Sequence, residues 1–119
     1  MADQVVWFEV VGKDGNALRS FYSDLFGWQF SEPGDMDYGM VEGSNGGIGG
    51  GVGSGPDGHS HLTFYVGVDD PQAALDKAVQ LGGKVVTEVT EIPNMVTFAM
   101  FEDPEGHLVG IVKNQPPSE

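Results

Sequence analysis

The acid–base chemistry this sequence offers concentrates in Glu9 and three histidines, His59, His61 and His107. His59 and His61 stand two residues apart, so in an extended strand they share one face, roughly 6–7 Å apart, and both can reach a single ion. That makes them an alternative metal pair. The ordinary reading is exposed loop histidines, because His59 abuts a glycine-rich run and His107 belongs to a turn. Glu9 alternates with Trp7 on one side of a short apolar strand, so it is a candidate buried acid or base, set against a plainly solvated or ion-paired carboxylate. No serine–histidine–aspartate arrangement and no pair of facing carboxylates follows from the spacing. The absence of cysteine excludes a thiolate metal site, a disulfide framework and a cysteine nucleophile. The run Gly46-Gly47-Ile48-Gly49-Gly50-Gly51 has the composition of a phosphate cradle, yet no lysine follows it and no helix begins there. It reads instead as a glycine-rich strand in which a ligand or a neighbouring backbone approaches closely.

Composition narrows what such groups serve. A chain of 119 residues supports one hydrophobic core, and 39% hydrophobic with 10% aromatic residues provides the apolar surface for it. Eighteen acidic against five basic residues give a formal charge of -13, which repels nucleic-acid phosphates and anionic membrane surfaces. Neither is an expected partner. No stretch approaches the ~20 apolar residues of a membrane span, and Met1-Ala2-Asp3-Gln4 lacks the basic and apolar regions of a signal peptide, so the expectation is a cytoplasmic protein.

The elements that must position these residues come in two similar sets. Val5 to Val11 reads as a strand with Val6, Phe8 and Val10 on one face and Val5, Trp7, Glu9 and Val11 on the other. Ala17, Leu18, Phe21, Tyr22 and Leu25 then fall at helical spacing, with Gly27 placed as a C-terminal cap. In the second half Leu62 to Val68 reads as a strand, Asp70-Pro71 as N-cap and first helical residue, Ala74, Leu75, Ala78 and Leu81 as the apolar face, and Gly82-Gly83 as the stop. Sliding the chain by 56 positions pairs Phe8 with Phe64, Val10 with Val66, Asp14 with Asp70, Ala17 with Ala73, Leu25 with Leu81 and Gly27 with Gly83, which points to an internal duplication. Each helix is followed by strand candidates, Gln29 to Ser31, Tyr38 to Glu42 and Gly47 to Val52, then Lys84 to Thr90, Met95 to Glu102 and Leu108 to Val112. The class is therefore α+β, with βαβββ occurring twice. Module one covers about 4–53, a glycine-rich connection about 54–58, module two about 59–114 and a tail 115–119.

Three stretches carry a family likeness: Phe21-Tyr22 with Leu25-Phe26-Gly27-Trp28, Val68-Asp69-Asp70 leading through a helix to Leu81-Gly82-Gly83, and Asp103-Pro104-Glu105-Gly106-His107. In that order on a duplicated βαβββ unit, the chain resembles the vicinal oxygen chelate superfamily, in particular its glyoxalase-like and bleomycin-resistance-like branches. The resemblance spans nearly the whole chain. It implies curved mixed sheets that form a cleft with the helices outside, and a homodimer.

In the superfamily's metal enzymes the ligands stand on the first strand of each module and on the last strands. Here those positions are Trp7, Thr63, Gly110 and a place among the glycines of the first module, none of which supplies a side-chain donor suited to the task. The expectation is no metal and no other cofactor. What remains is an aromatic cleft whose expected ligand contacts are Trp7, Thr63, Tyr65, Phe98, Met100 and Leu108, each also explicable as core packing. Tyr38 and Trp28 are candidates for the rim of the first module's cleft, with core packing the favoured reading. The leading expectation is a metal-independent protein that binds a small aromatic or amphipathic molecule, sequestering a drug or metabolite. The alternative is a glyoxalase-like lyase or isomerase, or another enzyme of the superfamily, whose non-standard site uses Glu9 or a histidine. A third is a module whose role is association with a partner.

Overall fold

A computed structural model describes residues 2–35, 37–44, 46–93 and 95–114. The chain divides into two compact units, Trp7–Thr63 and Met1–Val6 together with Phe64–Glu119. The division passes through the first strand of each half, not through the glycine-rich connection.

In the first unit, β1 (Val5–Gly12) contributes its residues from Trp7 onward, followed by α1 (Gly15–Phe26), β2 (Tyr38–Val41), β3 (Gly49–Ser54) and a 3-10 turn at Pro56–Gly58. Strand β3 lies between the others, parallel to β1 with Glu9 opposite Gly51 and antiparallel to β2 with Tyr38 opposite Gly53. Helix α1 starts because the Asp14 carboxylate accepts the Ala17 N–H. It stops at Gly27, whose φ of 76° a side chain would disfavour. The Gln29 to Ser31 segment is not a strand: it exchanges bonds with Met40 only through Ser31, so this half is βαββ where βαβββ is expected. The connection after β3 is tied down, with Gly55 N–H bonded to Gly12 O and Gly15 N–H to Ser54 Oγ.

The helix turns a different side inward from the one its apolar spacing predicts. Phe21 and Leu25 are 58% and 59% exposed, whereas Arg19 is buried at 7%. Arg19 is held by three contacts: its Nη1 donates to the buried carbonyl of Val52 at 3.1 Å and to that of Asp37 at 3.2 Å, and its Nη2 meets Asp37 Oδ1 at 2.5 Å. Ser54 donates its hydroxyl to the other Asp37 oxygen. An aromatic stack of Phe8, Tyr22, Phe26 and Trp28 completes this side, which places Trp28 in packing and not at a cleft rim.

The second unit holds β4 (His61–Val68) from Phe64 onward, α2 (Pro71–Gln80), β5 (Lys84–Ile92), β6 (Val96–Glu102) and β7 (Leu108–Lys113). The order is β4-β7-β6-β5, parallel between β4 and β7 and antiparallel elsewhere. This half is the full βαβββ. Asp70 caps α2 with φ −133° and ψ 94°, against −130° and 91° at Asp14, so the two halves begin their helices with the same backbone geometry. Leu75 from α2 packs with Val68, Ala99 and Ile111 to form the core on one face of the sheet. Leu81 is 70% exposed and takes no part.

Hydrogen bonds from Ser54 and then Arg19 hold the Asp37 carboxyl below its ordinary pKa. A carboxyl lowered on folding adds stability above the unfolded pKa of ~3.9 and loses it as pH falls through the lowered value. Asp37→Asn is therefore expected to melt below wild type at pH 7, the gap closing as pH drops under about 4; thermal unfolding followed at pH 7 and pH 3 checks this. Arg19→Met strands two carbonyls and is expected to cost about 1–3 kcal/mol, read from urea unfolding.

Candidate functional site

In each unit the helix covers one face of the sheet, and the sequence-predicted site residues stand on the other. On the first unit's helix-free face, strand alternation and register put Trp7, Glu9 and Tyr38 together. The Trp7 indole N–H donates to Tyr38 Oη at 3.0 Å, and Tyr38 donates its hydroxyl to Glu9 Oε1 at 2.9 Å. His61 Nε2 lies 2.7 Å from Glu9 Oε2, and His59 Nε2 lies 2.8 Å from His61 Nδ1. The carboxylate and the His61 ring are each 14% exposed, while His59 is exposed. Five side chains thus form one continuous chain that runs from an indole through a phenol, a carboxylate and an imidazole to a second imidazole in solvent.

The glycines of β3 make room for it. A Cβ on Gly51 would collide with the Tyr38 ring, and one on Gly50 would collide with Phe8 on the opposite face. The close approach expected of these glycines is by aromatic side chains of the same unit at Gly50 and Gly51, and by the neighbouring backbone of Val41 at Gly49 and of Asp37 at Gly53. Burial, and then the neighbouring Glu9 charge, push the Tyr38 pKa well above that of an ordinary phenol. Tyr38 accordingly serves as a fixed donor to Glu9 and not as a base.

Thr63, the last residue of the same unit in sequence, is buried. The remaining expected contacts belong to the second unit, where Tyr65, Phe98, Met100 and Leu108 share the helix-free face by register. Tyr65 and Met100 are 9% and 7% exposed. The Tyr65 hydroxyl meets Met100 Sδ at 3.8 Å, its ring meets Phe98 edge-on at 6.5 Å, and the same ring lies where a side chain on Gly110 would stand. His107 bonds to Asp103 within its own turn, remote in role from the Glu9 chain.

The metal positions of the resembled enzymes do not fit a metal here. Trp7 offers an N–H without a lone pair and spends it on Tyr38, and the space beside Gly110 is filled by Tyr65. His59 and His61 direct ring nitrogens at each other and at Glu9 instead of at a common point. Among the described residues no group of three or more histidine, aspartate or glutamate side chains is placed to hold an ion.

The model of the glyoxalase-like domain matches residues 7–112. The chain belongs to that family. It is 27% identical over 116 residues to CFP32 of Mycobacterium bovis, which covers 94% of this chain and 44% of that protein, so the chain spans less than half of the curated mycobacterial relatives it matches. It is 29% identical over 123 residues to a glyoxylase-like domain-containing protein of Didymella fabae, covering 87% of this chain and 88% of that one. Among solved structures, a hypothetical protein of Bacillus halodurans superposes with a TM-score of 0.70 at 9% identity, over 100% of this chain and 99% of that one. A glyoxalase/bleomycin resistance protein/dioxygenase superfamily member of Vibrio splendidus gives 0.64 at 20%, over 95% and 100%. The Streptomyces coelicolor methylmalonyl-CoA epimerase in complex with 2-nitronate-propionyl-CoA gives 0.62 at 14%, over 98% and 100%. At these identities the shared property is the vicinal oxygen chelate fold.

Sequence reasoning placed Trp7 and Glu9 on one face correctly but did not join Glu9 to His61, 52 residues away, or assign Tyr38 as the link between Trp7 and Glu9. The available signal was the glycine opposite Glu9, which marks a ring lying across the strand. Gly51→Ala is expected to destabilise the protein by about 1–3 kcal/mol by overpacking. In a Tyr38→Ala background most of that cost should vanish, which a double-mutant cycle in urea measures.

Proposed function

We propose that this glyoxalase-like domain binds a small planar molecule on the helix-free face of its first unit, without a metal. Trp7 and Tyr38 supply the aromatic surface, and Glu9, backed by His61, is the polar handle. One observation carries this reading: a mostly buried carboxylate beside an indole, with one hydroxyl and one imidazole fixing its two oxygens. A site of that kind recognises shape by stacking and orientation by a hydrogen bond into the carboxylate. The formal charge of -13 favours a neutral or cationic ligand with an N–H or O–H donor over an anion. The donor-poor positions Trp7, Thr63 and Gly110 support metal independence, and sequestration of a drug or metabolite is the role that needs no further chemistry. Among the described residues no helix is long and apolar enough to cross a membrane.

A second reading, a lyase or isomerase with a non-standard site, is favoured by the imidazole chain behind Glu9. Turnover that survives chelators and is lost in Glu9→Gln distinguishes it from simple binding.

The test of the binding reading is a thermal-shift and calorimetric screen of chelator-treated protein against planar nitrogen heterocycles and phenols. At least one is expected to bind, with affinity falling on the order of tenfold, ~1.4 kcal/mol, in Trp7→Ala and in Glu9→Ala. No stabilisation by any of them, or stabilisation only after metal is restored, overturns the proposal.

A further inference from the structure

We infer that Glu9, His61 and His59 form a proton relay, which makes the face a site of reversible proton transfer to a bound ligand. This deepens the binding reading and rests on it for the ligand. An ionised carboxylate only accepts hydrogen bonds, so the 2.7 Å contact requires the proton on His61 Nε2. A neutral His61 then presents a bare Nδ1, and the 2.8 Å contact requires the proton on His59 Nε2. If His61 is protonated instead, its Nδ1–H donates to a bare His59 Nε2. The hydrogen bond survives both states, which is the property a relay needs.

The transfer balances without any other reactant. A proton reaching His59 Nδ1 from water lets the His59 Nε2 proton move to His61 Nδ1 and the His61 Nε2 proton move to Glu9 Oε2. One proton enters at the exposed end, one appears on the mostly buried carboxylate, and both rings are left with the proton on Nδ1. In reverse, with both rings in that Nδ1–H form, a proton that Glu9 takes from an acidic X–H of the ligand passes to His61 Nε2, the His61 Nδ1 proton to His59 Nε2 and the His59 Nδ1 proton to water, the bonding pair staying with the ligand and both rings returning to the Nε2–H form. Through Tyr38, on the Oε1 side of Glu9, no such path runs. Tyr38, its pKa raised, is locked as a donor to Oε1, and the indole behind it has no lone pair with which to continue a chain. The two carboxylate oxygens are thereby distinguished, one fixed and one connected to solvent.

The relay makes His59 a positioning and transfer residue that touches neither the carboxylate nor the aromatic surface. His59→Gln is the decisive variant, because the amide can still donate to His61 Nδ1 but cannot pass a proton through itself. His59 is exposed, so the substitution is compatible with folding. In protein labelled with nitrogen-15, solvent exchange of the His61 Nε2 proton is measured by NMR in wild type and in His59→Gln, with no ligand present. Exchange is expected to slow by at least about tenfold in the variant, and a nitrogen–nitrogen coupling is expected across the His59–His61 bond in wild type. Exchange that is unchanged or faster in His59→Gln overturns the relay, because it means that water reaches His61 directly. So does a wild-type proton already exchanging at the open-solvent rate, or an absent coupling. Since no ligand is used, failure here leaves the binding proposal standing, and failure of the ligand screen leaves the exchange result unaffected.

Discussion

The arrangement depends on a steric constraint in the central strand of the first unit: β3 has almost no side chains. Its glycines at 50 and 51 let Phe8 press on one face and Tyr38 on the other, so a strand that buries little of its own becomes the floor for two rings. A strand of ordinary residues would hold both rings off the backbone, and the Tyr38 hydroxyl would no longer reach Glu9. The entropy lost in ordering so many glycines is offset by what the rings bury, and Val52, with no exposed surface, anchors the helix-covered side between them.

The polar network on the helix side serves the same end. Asp37 is the residue immediately before Tyr38 and takes a positive φ of 51°, a conformation that aspartate tolerates better than most side chains. Arg19 and Ser54 bind its carboxylate, Arg19 also holds its carbonyl, and the Ser54 N–H bonds to that carbonyl as well. The start of β2 is thus clamped to α1 and to the end of β3, which sets where the Tyr38 ring leaves the backbone. A buried guanidinium is an expensive way to stabilise a fold, but it is an effective way to fix a register.

What was legible in the sequence was what depends on neighbours in the chain. Both aspartate caps, the proline at the start of α2, the glycine stop of α1 and the facing of Trp7 and Glu9 follow from local sterics and the two-residue period of a strand. The inward side of α1 was not legible, because the apolar spacing of Phe21 and Leu25 is as good as that of Leu18 and Tyr22, and only the carbonyls of Val52 and Asp37 make Arg19 the better buried residue. The Gln29 to Ser31 segment failed as a strand for a related reason: its composition is suitable, but only Ser31 finds a partner. The pairing of Glu9 with His61 was beyond reach, since it joins two strands far apart in sequence, and alternation says which side a residue faces without saying which residue it meets.

Hydrogen-bond polarity is what decides between a metal site and proton chemistry at these histidines. An imidazole binds a metal through a bare nitrogen, and His61 has two nitrogens to commit. With Nε2–H given to the carboxylate and Nδ1 given to His59, no lone pair is left for an ion. Drawing His61 Nδ1 to a metal would cost its contact with His59, and drawing Nε2 would take the imidazole donor from a mostly buried carboxylate, the latter a penalty of about 1–3 kcal/mol before any ligand bond is formed. Where the metal enzymes that the sequence resembles keep their ligands, this chain places an indole, a phenol and a carboxylate hydrogen-bonded to a row of imidazoles. The glycine floor of β3 determines which side chains on the helix-free face have space to converge there.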